Sequence, residues 1–302
     1  MKQENLDKII AFRHVLHEHP ELSNHEVHTR KLIKEFIAQN MSKYPVLDEG
    51  DWLYCMKPYQ DTKKTIVLRA DHDAIMNSSN TPFHGCGHDG HTAILLGVML
   101  EEEDRESEYN VIYLFQPAEE INAGAREVIA SGALEEISAI AGFHNKPDLP
   151  LGTIGIKSGP LMAAVDRFEV KINGTGTHAA APQNGNDPIV TASQIVTSIQ
   201  SIVSRYVSPA DMAIISVTRI SGGNTWNVIP ESVVMEGTMR TFKKSVQDRI
   251  KKLFTQVIKN YTEAFEQKYE ILWGDSHPFV DNDETLAKLI GEEVSVFADV
   301  KV

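Results

Sequence analysis

The sequence predicts an α/β protein: a sheet with helices on its faces, followed by a separate α+β sandwich. Two observations carry this. Over roughly the first half, short β-branched runs alternate with helical patterns, the order that lays helices on a largely parallel sheet. After Ser158 the texture changes to partly alternating strands, with two long helices between and after them.

The elements follow in order. Asn5 to Glu18 places Leu6, Ile9, Ile10, Val15 and Leu16 at helical spacing and stops near Pro20. A second helix is expected from Glu26 to about Asn40. Lys64 to Ala70 suits a buried strand, Thr92 to Glu102 a helix with an apolar face, and Asn110 to Gln116 (NVIYLFQ) a further buried strand. A helix from Ala123 to about Ala130 and a short strand from Ala139 to Phe143 close the first part. In the second part, Arg167 to Ile172, Ala213 to Ile220 and Ser232 to Met239 read as strands. Helices are expected near Asp187–Tyr206 and Ser245–Gln267. The boundary is expected near 160–166, and a return to the first part near Gly274–Pro278.

Composition limits the partners. A net charge of −13 over 302 residues gives no counterion-release affinity for nucleic acid and is repelled by anionic membrane surfaces. No apolar run approaches the ~18 residues that span a bilayer. The start, Met1-Lys2-Gln3-Glu4-Asn5, lacks the apolar segment of a signal peptide. Two cysteines, Cys55 and Cys86, make no disulfide framework. The expectation is a reduced, cytoplasmic protein, with neither nucleic acid nor membrane as partner.

Chemistry concentrates at predicted strand ends. Cys86-Gly-His88-Asp89-Gly-His91 sets a thiol and an imidazole two residues apart in a glycine turn, where both can face one cation. Alone, such a step reads as a small buried residue beside helix-start polar groups. Three further clusters change the balance. Asp71 and Asp73, two apart at the end of a strand, share a face, and one of them can stand behind a metal-binding imidazole. Glu119 and Glu120, if extended, project oppositely, so one can bind metal while the other faces a bound water; the alternative is a charged first helical turn. His144 ends the Ala139–Phe143 strand, where a lone histidine is usually structural. Hard and borderline ligands at the carboxyl ends of neighbouring strands fall where open α/β sheets place their sites.

These motifs are similar to those of the M20 metallopeptidase superfamily, in its amidohydrolase branch of hippurate hydrolases, N-acetyl-diaminopimelate deacetylases and auxin conjugate hydrolases. The match also runs through His17-Glu18-His19-Pro20-Glu21-Leu22, Arg69-Ala70-Asp71, Gln116-Pro117-Ala118-Glu119-Glu120 and Gly142-Phe143-His144. It continues through residues 176–182 (GTHAAAP), 222–230 (GGNTWNVIP) and 237–240 (GTMR). The resemblance implies a zinc-peptidase-like catalytic domain, 1–163 and 276–302, with an inserted lid and dimerisation domain, 164–275. It implies two divalent metal ions (Mn, Zn, Co or Ni), with Cys86, His88, Glu120 and His144 as ligands. Glu119 would be the general base, Asp71 a second catalytic acid, and His178 an oxyanion donor reaching the partner subunit's site in a homodimer. Asn227 and Arg240 would lie near the carboxylate end of an N-acyl amino acid substrate, and the reaction would be cleavage of its amide bond. The family's last metal-ligating histidine lies beyond the lid, whereas the last histidine here is His277. Either the sequence is a fragment or one metal site is incomplete. The loop between Ala74 and His84 is also shorter than usual for the family. Competing expectations are a dipeptidase or carboxypeptidase of the same superfamily and a catalytically silent metal or amino-acid binding relative.

Overall fold

The runs expected to be buried strands form the middle of a five-stranded sheet. Its order is Val46–Asp48, Leu53–Lys57, Asn110–Gln116, Thr65–Asp71 and Ala139–Gly142. The protein is seen here as a computed structural model that describes residues 1–57 and 64–301, the side chain of Asp275 excepted. Thr65–Asp71 runs parallel to both Asn110–Gln116 and Ala139–Gly142, with Asp71 opposite Gln116 and Arg69 opposite Gly142. The carboxyl ends of three strands therefore share one edge. Leu53–Lys57 joins antiparallel to Asn110–Gln116. Its alternating burial fits a strand, but at five residues it carried too little pattern to be expected.

Helices Gln3–Glu18, Val27–Asn40 and His88–Glu102 lie within two residues of expectation except at one end. The third starts at His88, a full turn before Thr92, so the second half of Cys86-Gly-His88-Asp89-Gly-His91 is helix rather than turn. Gly87 stops the helix from starting earlier. It sits at φ +79, the left-handed region that a residue with a Cβ enters only at a cost. Leu16, Ile33, Ile37, Leu53, Leu96, Met99, Tyr113 and Phe115 share one buried core. At ~1.5–3 kcal/mol for each large side chain removed from water, this core fixes the sheet edge on which the site is built.

The chain divides into two compact units, Met1–Asp148 and Leu149–Val302. The second holds a four-stranded antiparallel sheet ordered Ala213–Gly222, Ser232–Thr241, Ala164–Asn173 and Lys268–His277. Strict inside–outside alternation marks its two central strands. Pro188–Tyr206 and Lys244–Ala264 pack on its apolar face through Ile195, Ile199, Ile250 and Phe254 against Phe168, Val170 and Met235. Asp187 starts the first of these helices, its Oδ1 accepting from the Ile189 N–H at 2.8 Å, with Pro188 in the first helical position. The fourth strand, Lys268–His277, ends within the stretch Gly274–Pro278 where a return to the first part is expected. Beyond it, Val280–Asn282 pairs with Gly159–Met162 and Asp299–Lys301 with Thr153–Gly155. Among the described residues no helix is long and apolar enough to cross a membrane.

One polar group is sealed into this sheet. The Asp166 carboxylate is buried and accepts from Lys251 Nζ at 2.6 Å, Gln247 Nε2 at 2.6 Å and Ser276 Oγ at 2.7 Å. Burial opposes its ionisation, but these three donors outweigh burial and hold its pKa below the usual range. A carboxyl depressed by folding stabilises the protein above its unfolded pKa of ~3.9, and that stability is lost as pH falls through the folded value. Asp166→Asn is therefore expected to lower stability at neutral pH by roughly 1–3 kcal/mol. It should also flatten the decline in stability below about pH 4. Urea unfolding of both proteins from pH 7 to pH 3 checks this; parallel curves would remove Asp166 from the acid response.

Candidate metal centre

Three strand ends and one helix start converge at the shared edge. His88, the first helical residue, is fully buried. Its Nδ1 lies 3.0 Å from Asp73 Oδ1, to which it donates, while Nε2 has no hydrogen-bond partner and no exposure. A buried nitrogen lone pair without a partner costs roughly 1–3 kcal/mol. It therefore points to something it was built to meet. Within 4.8 Å of one another lie ligand atoms of Cys86, His88 and Glu120, and likewise those of Asp71, His88 and Glu119. His88 Nε2 is 3.7 Å from Glu120 Oε1 and 3.7 Å from Asp71 Oδ2. Atoms bound to one ion at ~2.0–2.3 Å stand about 3.3–3.8 Å apart, so the spacing fits ligation.

The electrostatics ask for a cation. Burial opposes a charge on His88, yet its hydrogen bond to Asp73 and the nearby Asp71 and Glu120 raise its pKa above the ordinary value. Burial, then the hydrogen bond and charge of Glu120, push the Cys86 thiol up to about 12. Burial, then Glu120 and Asp71, also raise Glu119. Carboxylates crowded this way repel one another until positive charge is placed among them. The donor set of sulfur, imidazole and carboxylate, with the orphaned His88 Nε2, fits divalent metal.

The supporting residues act at measurable distances. The Thr65–Asp71 strand ends at Asp71, so the two aspartates are set apart by a loop and not by strand pleating. Asp73 serves His88 and also accepts from the Glu120 N–H at 3.0 Å and from Ser23 Oγ at 2.7 Å. Asp71 accepts from Arg69 Nη1 at 2.6 Å and from His91 Nδ1 at 2.7 Å. Burial opposes its charge, but His91 and Arg69 outweigh that and hold it well below the usual carboxylate range. Asp89 faces elsewhere: Arg13 Nε at 3.0 Å and His17 Nδ1 at 2.7 Å tie it to the first helix.

The segment after Gln116 is not extended as expected. Residues 119–122 form a turn, with the Asn122 N–H donating to the Glu119 carbonyl at 2.9 Å. Helix begins only at Gly124. Ala118 takes φ +47, and the buried Glu26 holds its N–H at 2.7 Å. Gly124 allows the close return, since a Cβ there would meet the Pro117 carbonyl oxygen at 1.9 Å. Glu119 and Glu120 thus owe their separate directions to a turn.

His144 follows the Ala139–Gly142 strand. Its ligand nitrogen lies within 4.8 Å of those of His88 and His91, and its ring centre is 5.8 Å from that of His88. The structure therefore brings Cys86, His88, Glu119, Glu120, Asp71 and His144 to one edge of the first unit. Glu26, Ser23, His91 and Asn145 also serve this edge, and the sequence alone assigns none of them a role. Their signal is local polarity inside the quoted or adjoining motifs, which spacing alone does not interpret. In the second unit His178 and Asn227 are neighbours: Thr177–His178 pairs with Val228–Ile229, and the Ala179 N–H donates to the Asn227 carbonyl at 3.0 Å. His178 is exposed, and its Nδ1 accepts from the Ala180 N–H at 3.1 Å, which leaves its proton on Nε2. Arg240 lies on the Ser232–Thr241 strand, half-buried, donating to Thr238 Oγ1 and to the Met239 carbonyl.

Comparison with known proteins bears on this geometry. The chain is 43% identical to an N-acetyl-L-cysteine deacetylase of Bacillus subtilis over 295 residues, covering 94% of this chain and 71% of the relative. It is 38% identical to an IAA-amino acid hydrolase of Arabidopsis thaliana, covering 85% of this chain and 61% of that protein. A Bacillus subtilis crystal structure described as a dinuclear metal binding peptidase from the M20 family superposes with a TM-score of 0.83. It is 35% identical, and the match covers 99% of this chain and 82% of that one. Residues 67–300 match the sequence model of Peptidase family M20/M25/M40. The chain belongs to that family.

Proposed function

We propose that this protein hydrolyses the amide bond of N-acyl amino acids with two divalent cations at the Asp71–Glu119–Glu120 edge. The observation that carries the reading is the orphaned, buried His88 Nε2 facing Cys86 and Glu120, with a second carboxylate, Glu119, clustered with the same histidine beside Asp71. Binding alone needs no such spare base. Cys86, His88 and Glu120 would hold one cation and His144 would contribute to the second. Bound cations would supply Lewis-acid polarisation of the amide carbonyl and bring the pKa of an attacking water from ~15.7 toward ~7.

The chain's own residues do the rest. Glu119 takes the proton from water as the water oxygen bonds to the carbonyl carbon, then gives it to the amide nitrogen as the C–N bond breaks. The products are a carboxylate and a free amino acid. Asp71 is held as an anion by Arg69 and His91, so its part is to orient and not to donate a proton. We take residues 164–275 as a lid and dimerisation domain, supported by the exposed Ile214 and Ile220 on the edge strand Ala213–Gly222. His178, with its proton on Nε2, suits donation to the developing oxyanion in the partner subunit's site. Asn227 beside it and the Arg240 guanidinium suit the substrate's carboxylate end.

The relatives' names, N-acetyl-L-cysteine deacetylase and IAA-amino acid hydrolase, support a substrate with an amino-acid leaving group and a variable acyl group. Release of free amino acid from a panel of N-acetyl, N-benzoyl and N-indoleacetyl amino acids, with added Mn²⁺, Zn²⁺, Co²⁺ or Ni²⁺, tests the reading. Turnover of dipeptides but of no N-acyl amino acid would move it to the peptidase alternative, and no turnover of either would leave only binding.

His178→Ala is expected to lower kcat about 10²–10³-fold, the usual cost of one oxyanion donor. Mixed with inactive Glu119→Gln subunits, it should recover activity in heterodimers. Recovery of none in dimers shown to have mixed would end the shared-site assignment.

A further inference from the structure

Ligand nitrogens of His144 and His91 both lie within 4.8 Å of that of His88, so the donor set leaves open which of them would bind a second cation. Their hydrogen bonds separate the two. The Asp71 carboxylate accepts from Arg69 on Oδ2 and lies 2.7 Å from His91 Nδ1 on Oδ1. That contact places the His91 proton on Nδ1. The other ring nitrogen, Nε2, lies 3.0 Å from the Asn145 backbone N–H, which can only donate to it, and 3.0 Å from the Asn145 side-chain Oδ1, a position the amide NH2 takes equally well; Nε2 then carries the lone pair. Imidazole has one in-plane lone pair once its other nitrogen is protonated, and here it is already engaged. The next link runs the opposite way: His144 Nδ1 donates to the Asn145 carbonyl at 2.8 Å. His144 Nε2 therefore keeps a free lone pair.

We propose that His91 is not a ligand but the positioning residue of His144, acting through the main chain of Asn145. Asp71 sets the His91 tautomer, His91 clamps the Asn145 N–H, and the Asn145 carbonyl turns His144 so that Nε2 is offered. Packing supports the clamp. The Asn145 side chain rests on Gly87, where an added Cβ would touch it at 2.9 Å, so the loop carrying His144 closes directly onto the start of the His88 helix. A carboxylate or carbonyl behind a metal-binding imidazole commonly contributes 10–100-fold in metal affinity. Here the main chain of one residue, Asn145, links such a carboxylate to the imidazole it serves.

This rests on the reading of a metal centre with His144 as a ligand, and the test separates the two. Metal content and affinity are measured by titration of metal-free protein with Co²⁺, followed by its visible absorption and by competition with a chelator. His144→Ala should lose one equivalent of Co²⁺; if it binds the full complement, the metal reading of His144 fails. His91→Gln keeps a donor for Asp71 and an acceptor for the Asn145 N–H, and should bind both ions within about threefold of wild type. His91→Ala should bind the second ion 10–100-fold more weakly, with the absorption of the first unchanged. Loss of a whole equivalent in His91→Gln, with His144→Ala also losing one, would make His91 a ligand and overturn the proposal. So would wild-type affinity in His91→Ala. Thermal unfolding of each metal-free variant guards against a folding defect, and the near-isosteric Gln variant carries the decision if Ala does not fold.

Discussion

Glu119→Gln is expected to bind its full complement of metal and to lose about 10²–10⁴-fold in kcat, the range contributed by a positioned general base. The amide has nearly the shape of the carboxylate but cannot accept a proton at neutral pH. Metal should stay because Cys86, His88 and Glu120 form a ligand group without it. The same substitution should leave the metal-free protein as stable as wild type or more so. Burial and the charges of Glu120 and Asp71 all disfavour a charge on Glu119, and Gln carries none. Catalytic groups are often held against their own stability in this way. Steady-state kinetics, metal analysis and unfolding of the metal-free form give the three readouts. A variant that loses metal along with activity would place Glu119 among the ligands, as its closeness to Asp71 and His88 permits. Near-normal turnover with full metal would remove it as the base.

Much of the fold was legible because the period of the apolar residues was. NVIYLFQ, at 110–116, is a strand over those same residues, since only a central strand can bury so continuous a run on both faces. The helices 188–206 and 244–264 came out within three residues at either end, for their apolar faces are long. Short or mixed elements were not legible. Val46–Asp48 and Leu53–Lys57 offer three and five residues, too few to establish alternation. Lys268–His277 contains Gly274, which reads as a breaker until the sheet beside it supplies ladder bonds to Ala164–Asn173.

At the site, residue type was readable and conformation was not. Cys86, His88 and Glu120 were singled out from their chemistry, and the structure gathers them. The backbone that separates Glu119 from Glu120 is neither the extended segment nor the first helical turn that the sequence offers as alternatives. A turn with Ala118 at positive φ depends on Glu26, 92 residues earlier, accepting its N–H, and no local pattern announces such a partner. The division of labour between Asp71 and Asp73 was likewise hidden. Both are buried acids beside histidines, and only the distances show Asp73 behind His88 and Asp71 behind His91. Long-range hydrogen bonds decide these roles, and they exist only once the sheet has closed.

His88→Asn carries the second large effect. The asparagine amide can still donate to Asp73 from near the position of Nδ1, while the atom in the Nε2 position is deleted. If that buried nitrogen exists to meet a cation, the variant should lose the ion shared by Cys86 and Glu120, and turnover should fall below detection. Stability reports the loss independently of activity. A ligand at 100 times its Kd stabilises a folded protein by ~2.7 kcal/mol, which raises the unfolding midpoint by several degrees for a chain of this size. Wild type should show that metal-dependent rise, and His88→Asn should lose the part owed to this ion. In the absence of metal the variant should unfold no earlier than wild type beyond the small cost of a looser fit, because it also removes a buried nitrogen that has no partner. Metal stoichiometry and a metal-induced shift both equal to wild type would mean that His88 Nε2 faces no ion. The gathering of Cys86, His88 and Glu120 would then be a packing arrangement of charged groups, with the base Glu119 left without a centre to serve.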